Sequence, residues 1–86
     1  MEIELSAHVR LRMGQRRLDL GWLERIVNHP EWREPGPSDS TLERRFGPIE
    51  EMGGRVLRVV VLPISPTKCR IVTAFFDRGA RKRKER

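Results

Sequence analysis

Arg55-Val56-Leu57-Arg58-Val59-Val60-Val61-Leu62, then Pro63-Ile64-Ser65-Pro66-Thr67, then Lys68-Cys69-Arg70-Ile71-Val72-Thr73-Ala74-Phe75-Phe76, is the stretch on which the fold turns. The outer parts are dense in β-branched and aromatic residues, which suit a pleated, half-buried surface. The middle part carries two prolines and has hairpin-loop length. Two antiparallel strands are predicted, over 55–62 and 68–76. Alternation puts Leu57, Val59 and Val61 on one face of the first, and Ile71, Thr73 and Phe75 on one face of the second. Gly53-Gly54 before them reads as a turn without the context of a phosphate loop.

Working back toward the N-terminus, Thr41 to Phe46 alternates and is predicted as a short strand that Gly47-Pro48 breaks. Trp32 to Ser40 holds Pro35, Gly36, Pro37 and Ser38 and reads as loop. Further upstream the period changes to that of a helix. Ser6 is a good N-cap for a helix from Ala7 to about Arg16, weakened near its end by Gly14. Asp19 caps a second helix, with Leu18 placed to staple onto Leu23. Trp22, Leu23, Ile26 and Val27 form its apolar stripe, and Asn28-His29-Pro30 stops it, His29 serving as a C-terminal cap residue. Ile3 lies on a short leading strand within the alternating Met1–Leu5. Helices first and strands afterwards predict an α+β domain, two N-terminal helices packed on a small antiparallel sheet of three to four strands. Residues 1–77 are expected to form this single α+β domain, and residues 78–86 a basic disordered tail.

The chain has 86 residues, one domain at ~100–200 residues each. Such a length leaves room for one core and one shallow site, not for separate cofactor and substrate domains. The single cysteine, Cys69, excludes an internal disulfide and a cysteine-cluster zinc site, and reads as a small core residue. His8, His29 and Cys69 lack metal-ligand spacing, so no metal and no cofactor are expected. No apolar run approaches the ~18 residues of a transmembrane helix. Met1–Leu5 lacks the basic start of a signal peptide, and a cytoplasmic protein without membrane contact is expected.

The net charge of +6 is unevenly placed. Residues 78–86 hold six basic residues and one acid, whereas residues 1–77 hold twelve and eleven. Within the body, residues 6–17 carry four arginines and no acid, 18–54 four arginines against eight acids, and 55–77 four basic residues against one acid. If the first and last of these segments pack side by side, they make one basic face, which concentrates polyanions.

On the first helix His8, Arg12 and Arg16 fall in one row, at steps of four. Ala7 and Leu11 flank it on one side, Val9 and Met13 on the other, with Arg10 and Arg17 across the helix. Either this bracketed row faces the sheet, half-buried, or the Arg10–Arg17 side does; the first keeps four apolar residues near the core. A half-buried arginine needs a partner, an acid such as Asp77 or a bound anion. The row reads as a phosphate site, since arginine offers a planar donor fork and histidine exchanges protons near neutral pH. It reads equally as an amphipathic helix with solvated arginines. Trp32, between Glu31 and Arg33, covers the sheet edge or meets a partner.

The run from His8 through Arg12-Met13 and Arg16 to Leu18, Pro30 after the second helix, and the closing Ile71-Val72-Thr73-Ala74-Phe75-Phe76 resemble a bacterial family of unknown function over residues 5 to 77. That family is similar to the RelE and BrnT toxins, of barnase–EndoU–colicin–RelE-like fold. Arg17 departs from it, since the family usually has glycine there, and so does the basic tail. The resemblance implies an RNA-binding or metal-independent ribonuclease-like domain, with His8, Arg12, Arg16 and Thr73 as catalytic residues. His8 would carry a proton, the two arginines would hold phosphate, and Thr73 would position a phosphate oxygen. Arg58, Arg70, Arg81, Lys82, Arg83 and Lys84 would bind the nucleic acid. A second proton carrier is not evident. The competing expectation is a non-catalytic interaction module that pairs with an antitoxin-like protein or a second copy through an open sheet edge.

Overall fold

The computed structural model describes residues 1–80. The elements run β1 (Glu2–Leu5), α1 (Ala7–Arg16), α2 (Leu20–Asn28), β2 (Trp32–Pro35), β3 (Glu43–Ile49), a 3-10 turn (Glu50–Met52), β4 (Arg55–Ser65) and β5 (Lys68–Phe76). The fold is α+β as predicted, but the sheet is larger and not wholly antiparallel. It has five strands in the order β1-β5-β4-β3-β2, and β1 pairs parallel with β5, Glu2 opposite Lys68 through Leu5 opposite Ile71.

Both helices start where their caps predict. Ser6 Oγ accepts from Val9 N at 3.1 Å, and Asp19 Oδ1 from Gly21 N at 2.7 Å. α1 ends on Arg17 in the left-handed region, φ 53°, a conformation glycine adopts at least cost. The His29 N–H closes α2 on the Arg25 carbonyl at 2.8 Å. Among the described residues no helix is long and apolar enough to cross a membrane.

Three sequence expectations are corrected in the sheet. β2 lies in the segment read as loop. β3 passes straight through Gly47-Pro48. A Cβ at Gly47 would lie 2.7 Å from Ile26 Cδ1, so glycine here lets α2 approach the sheet rather than breaking the strand. Pro48 pairs with Val56 of β4 beyond the reach of β2, whose ladder stops at Phe46, so the missing N–H interrupts no bond on that side. The third correction concerns β5. Val60 pairs with Thr73 and Val61 with Ile71, leaving Val72 as a bulge. Ile71 therefore faces the helices with Ala74 and Phe76, while Thr73 and Phe75 face the other way.

The core lies between the helices and one sheet face. It joins Val9, Leu18, Leu23, Ile26 and Val27 to Ile49, Leu57, Val59, Val61, Cys69, Ile71 and Ala74. Burial pushes the Cys69 thiol pKa up, as suits a core residue. Arg45, 6% exposed, is the exception. It donates to the Val27 carbonyl and to Glu43 Oε1, both at 2.6 Å, tying β3 to the end of α2.

Candidate nucleic-acid interface

α1 packs against β5, so the basic segments 6–17 and 55–77 do lie side by side. The helix takes over the edge of β5 where β1 ends. Ser6 N donates to the Ile71 carbonyl at 3.1 Å, Ser6 Oγ to that of Val72 at 3.0 Å, and Arg16 Nη1 to that of Ala74 at 3.0 Å. These bonds satisfy carbonyls that an edge strand would otherwise leave to water.

An edge offers a narrow seat, and this decides which face of α1 is buried. Only Val9 and Met13 of the bracketing residues reach the core; Ala7 and Leu11 are exposed, Leu11 at 59%. Of the predicted row, Arg12 alone is half-buried, and His8 and Arg16 are exposed. Arg12 does not pair with Asp77: its Nη1 donates to Gln15 Oε1 at 2.9 Å, and its buried Nε has no partner. The His8 side chain makes no hydrogen bond or ion pair among the described residues.

The sheet face away from the helices carries what the row lacks. Strand register places Trp32, Phe46, Arg58 and Phe75 side by side across four strands. Trp32 stacks on Phe46, centroids 4.8 Å apart and planes 6° from parallel. Arg44 lies over Phe46 at 6.0 Å. Arg58 and Arg16 both lie over Phe75, at 5.0 and 5.8 Å. Arg16 thus links α1 to this surface. Thr73, half-buried, is two residues before Phe75 on the same face, opposite Val60.

The other predicted cations stand differently. Arg58 pairs with Asp77 at 3.4 Å, while its buried Nε has no partner. Arg70 is held by Glu4 at 3.0 Å, and Lys68 by the same Glu4 at 2.7 Å. Both bonds hold the Glu4 carboxyl below its usual pKa, Lys68 contributing most. Arg81, Lys82, Arg83 and Lys84, with the expected disordered tail beyond Ala80, lie outside the described residues. Residues 78–80 fold back on Asp77, whose Oδ1 accepts from Gly79 N at 2.9 Å. No three His, Cys, Asp or Glu side chains gather as a metal site among the described residues.

Sequence reasoning missed Phe75 and Arg44 as parts of this surface, and Phe46, which is buried beneath Trp32 and Arg44. Simple alternation puts Phe75 on the face of Ile71, and the bulge at Val72 reverses it.

These features define a small α+β domain with α2 over one face of a mixed sheet, α1 along the edge of β5, and an arginine–aromatic surface on the other face. A family model described as a domain of unknown function (DUF4258) matches residues 5–76, and the chain belongs to that family. No curated protein and no solved structure matches.

Proposed function

We propose that the domain binds single-stranded RNA across the helix-free face of its sheet, as a module of the RelE-like toxin type. Phe75 carries this reading, because a guanidinium from α1 and one from β4 both lie over its ring. Aromatic rings and flat guanidinium planes are what unpaired bases stack on, and arginine forks match phosphate oxygens. Among the described residues Arg12 and Arg16 have no carboxylate partner, so their charge is available to a backbone phosphate. Thr73 offers a hydroxyl on the same face.

Cleavage asks for more. Metal-free cleavage needs one group to take the 2′-hydroxyl proton and another to protonate the leaving oxygen. His8, exposed on α1, is suited to one role. Asp77 is engaged by Arg58, and His29 closes α2. Binding is therefore the core of the proposal, and His8-dependent cleavage its extension.

The test is fluorescence anisotropy with a short labelled single-stranded RNA, and a cleavage assay on the same RNA. Arg16→Gln is expected to weaken binding about tenfold, a charge-assisted bond's worth. His8→Ala is expected to bind as wild type and to abolish any cleavage. Equal affinity for single-stranded and duplex RNA, with no effect of Arg16→Gln, would refute the reading.

A further inference from the structure

At the open end of the sheet, where β5 finishes and β4 begins, lies a groove of about 460 Å³ lined by Arg16, Leu18, Met52, Arg55, Phe75 and Phe76. The predicted row includes only Arg16 of these. Phe75 and Phe76 are consecutive on β5, so their rings leave on opposite sheet faces. The groove therefore wraps the end of the sheet instead of lying on either face.

Each arginine is laid on an aromatic ring. Arg55 lies over Phe76 at 4.5 Å, and Arg16 over Phe75 at 5.8 Å. Phe76 is held in turn by Trp22, edge to face at 6.1 Å. A guanidinium resting on a ring keeps its outer face open; Arg16 spends one Nη1 N–H on the Ala74 carbonyl at 3.0 Å and keeps its other donors. Among the described residues neither arginine has a carboxylate partner, and the Arg55 side chain makes no hydrogen bond. Between them, buried Leu18 and the 36%-exposed Met52 supply apolar surface. Methionine is unbranched and polarisable, and adapts to flat ligands.

Two forks with an apolar floor between them match a molecule that carries an anionic group and a flat apolar body. We propose that this groove is a mononucleotide subsite, which takes one phosphate of an RNA strand on Arg16 and Arg55 and its base on the Met52–Leu18 floor. The inference rests on the RNA-binding reading and adds to it where one nucleotide is gripped. The groove has the size of small-ligand pockets, ~300–1,000 Å³. The 3-10 turn that carries Met52 is anchored from outside the groove: Arg25 of α2 grips Glu51 with two hydrogen bonds, at 3.1 and 2.9 Å. This exposed pair ties the turn to α2.

The full chain is titrated with AMP, adenosine, inorganic phosphate and a short poly-glutamate peptide, read by amide chemical shifts, and separately with labelled single-stranded RNA. AMP is expected to saturate with shifts at Leu18, Met52 and Phe76, and to bind about tenfold tighter than adenosine or phosphate alone. Met52→Glu sets a like charge beside the phosphate on an exposed side chain and is expected to weaken AMP about tenfold. Arg55→Gln should do the same, and Arg10→Gln, across α1, should not. If RNA binds and depends on Arg16 while AMP is indifferent to Met52→Glu and Arg55→Gln, the subsite is wrong and the sheet-face reading survives. If RNA does not bind, both fall. AMP binding no tighter than phosphate, or tighter binding of poly-glutamate, would show a diffuse cationic patch and overturn the subsite.

Discussion

From Lys68 to Ile71, β5 is an interior strand with β1 on one side and β4 on the other; from Thr73 to Phe76 it has β4 alone, and α1 takes the place of a strand. The first half neutralises its cations, since Glu4 holds Lys68 and Arg70 and Glu2 lies 3.5 Å from Lys68. The second half gathers cations over Phe75 and Phe76 and offers one carboxylate, Asp77, to Arg58. The divider is the bulge at Val72. It turns Phe75 away from the core just where β1 gives way to Ser6 and α1. Charge density alone does not make an anion site. Both halves are rich in arginine and lysine, and what separates them is whether a neighbouring strand brings glutamate.

The largest disturbance is expected from Val59→Asp. Val59 is fully buried and opposite Ala74, in the second half. An unpaired buried charge costs several kcal/mol, comparable with the roughly 4–13 kcal/mol that a domain of this size commands. Loss of the folded circular-dichroism signal is expected; a folded, soluble variant would mean that the helix face of the sheet is not the core.

Arg12→Lys sharpens the comparison on the side without glutamate. It keeps the charge and loses the fork, so RNA affinity is expected to fall by about 1–3 kcal/mol. Arg10→Lys, exposed across the same helix, should change little. Equal effects of the two would make the row an ordinary solvated face.

Glu4→Gln tests the quiet half. It releases Arg70 and leaves Lys68 only Glu2 at 3.5 Å, and RNA affinity is expected to rise about threefold through the added positive field. The melting temperature should fall by a few degrees as β1 loosens. An unchanged affinity would show that the first half of β5 is too far from the bound strand to be felt.

The smallest effect is in acid. Glu51, hydrogen-bonded by Arg25, titrates at about 2, below its ordinary value of 4.5, and Glu4 is likewise lowered by Lys68 and Arg70. A depressed carboxyl stabilises the fold above its unfolded value and loses that contribution as pH falls toward the folded one. Melting temperature should be flat near neutrality and decline from about pH 4.5 downward. Glu51→Gln should shallow that decline, and an identical profile would remove the Arg25–Glu51 clamp from the account.

Much of the scaffold was legible before any coordinates. Ser6 and Asp19 announce their helices by cap chemistry, and the hairpin by its valine-rich strands. β2 was hidden because Pro35 and the turn residues behind it outweigh four residues of alternation. β3 was cut short because Gly47-Pro48 looks like a break until Ile26 is seen to need the space. At the candidate site the row His8, Arg12, Arg16 was readable as a helical period, but its burial was not. The sequence carries no mark that α1 would pack on a strand edge, which buries a stripe instead of a face. A bulge also leaves no local signature in Ile71-Val72-Thr73, so the side taken by Phe75 could not be read.

The parallel pairing of β1 with β5 has a consequence for synthesis. Among the described residues, residues 2–5 pair with residues 68–71 alone, and Ser6 caps α1 while bonding to Val72. β1 and α1 therefore have no strand to dock on until β5 has left the ribosome. Non-local pairing of this kind must close a long loop before it is rewarded, which slows folding. A nascent chain stalled short of β5 would leave Val9 and Met13 of α1 without their strand and one edge of β4 unpaired, an aggregation-prone state even with α2 docked on β3 and β4.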